Sequence, residues 1–311
     1  MPPDGRGDHR DNQSDGGRAA RAGGVQPETR YRQEADAELR VAVAAERSVT
    51  RQQATAREEA AAEKWSEKVE EGRLMWGEYQ RRWPPGKRAP VDRSTDPPGS
   101  WRGDGNRVLD AAANGRVEAE CDVLAERERE KISPALRAVE SQDPDRQLIG
   151  FDHRLKGLDR IKEKVHDGIH LLKRSPEEAV SHVHDAIRYT FQYQESRYTQ
   201  GVRADIERMK DQGFELHILK NSWSDEQYKG INSQWTDPDT RQRFEVQFHT
   251  RISFEAKQLT HPAYERLRTR QADAFEELVL EAFQEKITGE VPVPPGADSI
   301  PDYPQRGRDA R

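Results

Sequence analysis

Acidic, amide and imidazole side chains alternate with apolar ones in the segment 244–250. Successive side chains of a β-strand point to opposite sides, so the two sets would occupy opposite faces. The apolar set is Phe244, Val246 and Phe248, and the polar set is Glu245, Gln247 and His249. In the preceding segment 228–232, Tyr228 and Asn232 also share a side. We predict a β-hairpin whose apolar face joins a core and whose polar face is the floor of a nucleotide site.

Two carboxylates occupy predicted strand positions, Asp185 at the start of one strand and Glu245 in the middle of another. A carboxylate flanked by apolar side chains is costly to bury unless it meets a cation. Mg²⁺ together with nucleotide phosphates is one such partner. The structural alternative for Glu245 is a salt bridge to Arg188 or Arg243, and Asp185 could instead cap a turn.

Positive charges recur at helical spacing in Lys156, Arg160 and Lys164, with Arg154 just before them. This spacing places the three charges along one stripe of a helix. A triphosphate needs such an array, because its charge must be held while one phosphoryl centre reacts. The alternative is an ordinary solvated helix face.

A stacking position is predicted at Tyr228, whose ring face a purine could cover. Gly230 beside it has no side chain and would leave room for close approach. Packing of the ring in the core is the alternative.

The elements that must position these residues alternate between helix and strand from residue 147 to 288. Apolar periodicity predicts helices over 151–173, 175–183, 199–212 and 253–288. Alternating patterns predict strands over 185–193, 214–220, 228–236 and 241–249. We therefore expect an α+β fold, with a mixed, partly antiparallel sheet of about four to five strands flanked by helices.

The rest of the chain is poor in apolar residues. Hydrophobic residues make up 33% of the 311 positions and charged residues 35%, too lean for one core over the whole length. The predicted parts are a disordered tail (1–28), a charged helix (29–83), a Pro/Gly linker (84–106), a charged helical segment (107–146), the folded domain (147–288) and a second disordered tail (289–311). A net charge of −6 argues against nucleic-acid binding through the overall field. With no long apolar run and no apolar leader, we expect a soluble, cytoplasmic protein with no membrane contact.

In their order, these segments resemble the synthetase domain of the RelA/SpoT family of alarmone synthetases. Residues 154–164 resemble the family's basic helix, and residues 184–189 resemble its aspartate strand. Residues 228–232 are similar to its base-stacking motif, and residues 244–250 to Val-Glu-Val-Gln-Ile-Arg-Thr. The resemblance covers about residues 150–270. It implies transfer of pyrophosphate from ATP to a nucleotide 3′-hydroxyl without a covalent enzyme intermediate.

The resemblance also implies a role for each matching residue. Asp185 and Glu245 would be catalytic and hold Mg²⁺, and Glu245 would help to activate the acceptor hydroxyl. The ATP-binding residues would be Arg154, Lys156, Arg160, Lys164 and Arg188. The acceptor-binding residues would be Tyr228, Asn232, Gln247 and His249.

Several positions depart from the family pattern. Arg160 replaces a serine, Asn232 a histidine, His249 an arginine, and Gln227 a glycine. Because three of these changes, at Gln227, Asn232 and His249, fall in the acceptor pocket, guanosine nucleotides, adenosine nucleotides and a tRNA 3′ end all stay open as acceptors.

No hydrolase half is recognised ahead of the synthetase segment. We therefore consider two alternatives, a growth-arresting toxin with an antitoxin or immunity partner and a resident cytoplasmic synthetase. Ser100-Trp-Arg-Gly103 resembles the Trp-x-Gly turn of type VII secretion substrates, which would permit export to a target cell. The competing functions are a catalytically silent module that binds a nucleotide or a protein partner, and a nuclease that uses the two acids.

Overall fold

The computed structural model describes residues 27–84, 91, 93–269 and 272–304. The predicted tails and linker therefore lie in part outside the described residues. The chain divides into two compact units, Met1–Ala54 and Thr55–Arg311. In the first unit, the described residues 27–54 are helical, and the large apolar side chains among them are exposed.

Helices and strands are interspersed along the chain. The α-helices are α1 Pro27–Arg82, α2 Ala111–Arg127, α3 Ser133–Ser141, α4 Leu158–His170, α5 Pro176–Ser181, α6 Tyr198–Asp211, α7 Arg251–Arg268 and α8 Ala274–Gly289. The strands are β1 Trp101–Arg102, β2 Val108–Leu109, β3 Arg146–Ile149, β4 Arg188–Tyr193, β5 Glu215–Asn221, β6 Ile231–Asp237 and β7 Gln242–Thr250. A π-helical segment, Glu128–Ile132, joins α2 to α3.

The main sheet has five strands in the order β3-β4-β7-β6-β5. The central pair β4 and β7 is parallel, and the other neighbours are antiparallel. This confirms the α+β fold with a mixed, partly antiparallel sheet. Four of the five strands match predicted ones. The remaining strand, β3, has only four residues, and the sequence pattern did not predict it.

One face of the sheet is a core face. In β7, Phe244, Val246 and Phe248 are fully buried, as the alternation predicts. Phe248 stacks on Phe191 of β4 at 6.2 Å between ring centroids. Phe244 makes an edge contact with Phe214, which immediately precedes β5, at 4.9 Å between ring centroids. Glu245 and Gln247, which alternate with these apolar residues, therefore belong to the opposite, polar face of the sheet.

The segment predicted as a helix over 151–173 is divided in the structure. A short 3₁₀ turn at Phe151–His153 comes first, and α4 begins only at Leu158. Between them the backbone pairs with the sheet, because Lys156 N–H donates to the carbonyl of Ala186 and Arg188 N–H to that of Arg154. Lys156 therefore precedes α4 instead of lying on it, and the predicted three-residue helical stripe is not formed.

The core also takes in residues before 147. Trp101, at the end of the predicted linker, is buried, as are Leu109, Val117, Ile132 and Leu136 of the charged helical segment, so both regions share the core of the sheet domain. The indole N–H of Trp101 donates to Asp159 of α4 at 2.8 Å. The Trp-Arg-Gly triplet is thus part of the packed structure.

The carboxyl-terminal side differs from its expectation in a similar way. The helix predicted over 253–288 is two helices, α7 and α8. Residues beyond α8, predicted as a tail from their prolines, include the buried Val291, Ala297 and Ile300. Tyr303 pairs with Leu219 of β5 through two backbone hydrogen bonds. These residues cover the outer edge of the sheet.

From Thr55 onward, α1 packs on α8. Trp65 is buried, and Trp76 contacts Phe283 at 5.6 Å between ring centroids. The Tyr79 hydroxyl donates to Glu276 at 2.5 Å. Across the described ranges, none of the helices has both the length and the apolar character needed to cross a membrane.

A buried ion pair ties β3 to α6. Arg146 Nε lies 2.7 Å from Oδ2 of Asp205, and both side chains are almost fully buried. The same carboxylate accepts hydrogen bonds from the Tyr193 hydroxyl and from Arg208, each at 2.7 Å. Removing one partner of such a pair leaves a buried charge without compensation.

We expect Asp205→Asn to lower the free energy of unfolding by about 3–5 kcal/mol, because it removes the fully buried anion of Arg146 and leaves only the partly exposed Asp143, at 3.3 Å, to pair with the guanidinium. Urea denaturation measures this. Glu207→Gln on the same helix removes an exposed carboxylate that pairs with Lys210, and should change little. Equal midpoints for the two variants would contradict the assigned role of the buried pair.

Candidate nucleotide site

The polar face of the sheet is organised in rows by strand register. Glu245 of β7 lies beside Arg188 of β4 on one side and Gln234 of β6 on the other. In the next row, Gln247 lies between Thr190 and Asn232. The predicted hairpin of β6 and β7 is present, and it places Glu245, Gln247 and Asn232 on one surface.

Asp185 and Glu245 are joined by one guanidinium. Arg188 Nη2 lies 3.1 Å from Oδ2 of Asp185, and Arg188 Nε lies 3.1 Å from Oε2 of Glu245. Asp185 lies in the turn that precedes β4, three positions before Arg188 in the chain. The structure therefore brings together the two carboxylates that the sequence singled out, and the salt bridge considered as an alternative for Glu245 is formed with Arg188.

Two lysines complete the cationic surroundings of Asp185. Lys164 of α4 donates to both carboxylate oxygens, at 2.8 and 2.9 Å, and Lys156 Nζ lies 3.1 Å from Oδ2. Burial raises the pKa of Asp185, but the hydrogen bond from Lys164 and the charges of both lysines outweigh it and lower the pKa to about 2. Asp185 is therefore ionised at neutral pH.

A cavity of about 520 Å³ opens beside these groups. Lys164, Asp185, Gln234 and Glu245 line it, together with further charged residues such as Asp167 and Arg174. Its other walls come from α4, α5 and the residues between them, and include apolar side chains such as Leu171. The carboxylates thus face a space of the size that binds small molecules.

Arg154 and Arg160 point elsewhere. Arg154 Nε donates at 2.6 Å to Glu128, a fully buried residue of the π-helical segment. Arg160 is largely exposed and pairs with Glu163 one turn further along α4. Of the five predicted ATP-binding residues, the structure brings only Lys156, Lys164 and Arg188 to the two carboxylates.

Glu128 is a residue that the sequence analysis missed. Its Oε1 accepts hydrogen bonds from Arg154, Ser133 and the Tyr189 hydroxyl. Burial raises the pKa of this carboxyl, but these hydrogen bonds outweigh burial and lower the pKa. No local pattern signals this role, because its partners lie far along the chain.

Tyr228 belongs to a chain of hydrogen bonds. Its hydroxyl donates to Oδ1 of Asn232 at 2.9 Å. Nε2 of His249 lies 2.8 Å from the same hydroxyl and, since the phenol proton is already used, donates to it. Nδ1 then accepts from the Ser253 hydroxyl at 2.9 Å. Three of the four predicted acceptor-binding residues are thus linked, and burial lowers the pKa of His249 well below its usual value, which keeps the ring neutral.

The role of Gly230 differs from the prediction. A Cβ at this position would lie 2.6 Å from Cε1 of His249 and 3.1 Å from the carbonyl oxygen of Phe248. The backbone of Gly230 also has a φ of +146°, which side-chain-bearing residues rarely adopt. The missing side chain makes room for His249 and not for a base.

Gln247 links Glu245 of β7 to α7. Its amide nitrogen donates to Oε1 of Glu245 at 2.6 Å, and its amide oxygen accepts from Lys257 of α7. Lys257 is the second residue that the sequence analysis missed, and its place on a helix after the hairpin gives no local signal.

Asp185 and Glu245 are the carboxylates at this site that could hold Mg²⁺. No group of three or more His, Cys, Asp or Glu side chains suited to a metal occurs among the described residues. Mg²⁺ in nucleotide sites is bound by one or two carboxylates and completes its shell with phosphate oxygens and water. Asp185 and Glu245, close to one guanidinium and facing one cavity, fit that pattern.

We expect Gly230→Ala to lower the free energy of unfolding by about 1–3 kcal/mol, because the new methyl group meets His249 in a strained backbone conformation. Gly157→Ala is the matched control, since its Cβ meets nothing within 4 Å and its φ is ordinary. Urea denaturation followed by tryptophan fluorescence gives both values. Indistinguishable curves would mean that His249 is not held against Gly230.

Comparison with known proteins gives structural similarities alone. No protein-family model matches the chain, and no curated protein matches it. Solved structures that are similar include the smu.1046c protein of Streptococcus mutans, with 15% identity, a TM-score of 0.39, and coverage of 55% of this chain and 87% of that chain.

Two further similar structures carry functional names. Small alarmone synthetase 1 from Bacillus subtilis has 13% identity and a TM-score of 0.38, with 56% of this chain and 90% of that chain covered. A GTP pyrophosphokinase family protein from Streptococcus pneumoniae has 14% identity and a TM-score of 0.37, with 58% and 92% covered. The chain is therefore similar to alarmone synthetases in part of its structure.

Proposed function

We propose that this chain is a nucleotide pyrophosphokinase, which transfers pyrophosphate from ATP to the 3′-hydroxyl of an acceptor nucleotide. One observation carries the proposal: Asp185 and Glu245, distant in sequence, meet at Arg188 beside two lysines on the polar face of the sheet. Such a group of fixed charges suits phosphoryl chemistry, in which catalysis is mostly positioning and charge stabilisation.

The charges around Asp185 favour a polyphosphate. Lys156, Lys164 and Arg188 contact the two carboxylates, so there is one more cation than anion. Phosphate oxygens compete well for these cations, because charge-assisted hydrogen bonds to lysine and arginine are among the strongest in proteins. We assign the three cations to the phosphates of ATP. Arg154 and Arg160 would join them only by leaving Glu128 and Glu163.

Asp185 and Glu245 would hold Mg²⁺, which when bound would neutralise part of the phosphate charge. The acceptor 3′-oxygen attacks the β-phosphorus of ATP. The bond from that phosphorus to the oxygen bridging the α- and β-phosphates breaks, and AMP leaves with the bridging oxygen. Glu245 accepts the hydroxyl proton, as a positioned carboxylate can. The Gln247 amide holds the Glu245 side chain in place through a hydrogen bond to Oε1 of Glu245.

The acceptor lies, in this proposal, on the side of Glu245 that carries Gln247 and Asn232. The hydrogen bonds from Tyr228 to Asn232 and from His249 to Tyr228 hold the phenol ring in one orientation. A fixed ring is a suitable stacking surface for a base. The base itself, guanine, adenine or the tRNA terminus, is decided by an acceptor panel.

We expect Asp185→Asn and Glu245→Gln each to lower the transfer rate at least about a hundredfold, since each removes a charge that positions the reacting groups. The full-length protein is incubated with γ-labelled ATP, Mg²⁺ and GDP, GTP, ADP, ATP or tRNA, and AMP release and labelled product are measured. Glu207→Gln, an exposed carboxylate on α6, should retain full activity.

Two outcomes of this assay would contradict the proposal. Binding of nucleotides without AMP release for any acceptor would favour a catalytically silent binding module. Nicked nucleic acid without pyrophosphate transfer would favour a nuclease.

Lys164 and Arg160, which the sequence places in one basic stripe, have different surroundings in the structure. Lys164→Met should weaken binding of a non-hydrolysable ATP analogue about tenfold or more, because Lys164 stands at Asp185. Arg160→Met should change binding less, because its guanidinium pairs with Glu163 in solvent. Calorimetric titration measures both, and equal losses would contradict this assignment.

The growth-arresting role, the antitoxin or immunity partner and the export route stay predictions from the sequence. No contact among the described residues bears on them.

A further inference from the structure

Lys257 extends from α7 to the polar face of the sheet. Its ammonium donates to Oε1 of Gln247 and lies 5.3 Å from the ring centroid of Phe254. Gln247 in turn donates to Glu245. Lys257 thus approaches Glu245 from the Gln247 side, whereas Lys156 and Lys164 gather around Asp185.

The partners of Lys257 differ in kind from those of the other site cations. Lys156, Lys164 and Arg188 each contact a carboxylate. Within the described part of the chain, Lys257 forms no ion pair, and its one hydrogen-bond acceptor is a neutral amide oxygen. An ammonium carries three donors, so its capacity to bind an acceptor is largely unused.

The surroundings of Lys257 destabilise its charged form. Burial and the positive charge of Arg188 lower the pKa of Lys257 to about 8, and the attraction of Glu245 opposes them only in part. A cation that is withdrawn from water without an anion is costly, and the cost is relieved when an anion binds. Lys257 therefore has the properties of an anion-binding residue.

We propose that Lys257 binds a 5′-phosphate group of the acceptor nucleotide. The inference rests on the proposed function and adds to it a subsite and a requirement, namely that the acceptor carries a phosphate and is not a bare nucleoside.

The position of Gln247 indicates that the phosphate bound by Lys257 belongs to the acceptor and not to ATP. Gln247 pairs with Asn232 across β6 and β7, and Asn232 accepts the hydrogen bond of Tyr228. The stacking residue, the two amides and Lys257 therefore lie on one side of Glu245. Lys257 on one side of Glu245, and the cations around Asp185 on the other, would hold two nucleotides with their reacting ends between them.

Equilibrium binding tests this separately from catalysis. The full-length wild type, Lys257→Met and Lys257→Arg are titrated with GDP, with ADP, with the corresponding nucleosides and with a non-hydrolysable ATP analogue. We expect Lys257→Met to weaken binding of the preferred diphosphate about tenfold to a hundredfold, as for loss of a charged hydrogen bond. Binding of the nucleoside and of the ATP analogue should change less than about twofold, and Lys257→Arg should restore part of the lost affinity.

Stability distinguishes a binding role from a structural one. Lys257→Met removes a poorly compensated, partly buried charge, so its urea midpoint should equal or exceed that of the wild type. Added diphosphate should raise the midpoint of the wild type more than that of the variant. Lys210→Met, at an exposed lysine of α6, is the matched control and should behave as wild type in both measurements.

Three results would overturn the inference: unchanged diphosphate affinity in Lys257→Met, an equal loss for the ATP analogue, or a wild type that binds none of the diphosphates. Failure of the proposed function is a different result, in which diphosphates bind in a Lys257-dependent manner but no AMP is released.

Discussion

The site depends on one guanidinium that holds two carboxylates of like charge on the same surface. Without Arg188, Asp185 and Glu245 would repel each other in surroundings largely withdrawn from water. Their meeting is a consequence of the parallel pairing of β4 with β7, which sets Arg188 directly beside Glu245. A slip of one residue in that pairing would turn Arg188 to the apolar face. The apolar contacts of the opposite face, such as Phe191 on Phe248, therefore also fix the charges.

The hairpin and its charged row could be predicted from the sequence because strand alternation is a local property. Segment 244–250 contains its own two faces, and Asp185 and Arg188 lie close together in the chain. The surroundings of Arg154 could not be predicted from local spacing. Its spacing from Lys156 suggests a shared role, yet its partner Glu128 comes from a π-helical segment that packs onto the sheet from an earlier part of the chain.

The extent of the folded region was also beyond local patterns. The segment before residue 147 is rich in charge, and its buried positions are spread thinly among polar ones. Only the packed structure shows that Trp101, Leu109 and Ile132 share a core with the sheet. Lys257 was missed for the related reason that an isolated lysine in an amphipathic helix is indistinguishable from a solvated one until its surroundings are known.

The π-helical segment has a consequence for how the domain can be divided. Glu128 is fully buried and shared by Arg154, Ser133 and Tyr189, which come from the region before α4, from α3 and from the sheet. A protein shortened to begin at residue 147 would keep Asp185 and Glu245 but lose this carboxylate. The Arg154 cation and the Tyr189 phenol would then lack their acceptor at the base of the sheet. The smallest autonomous unit must therefore start upstream of Glu128, well before the first residue whose spacing suggests chemistry.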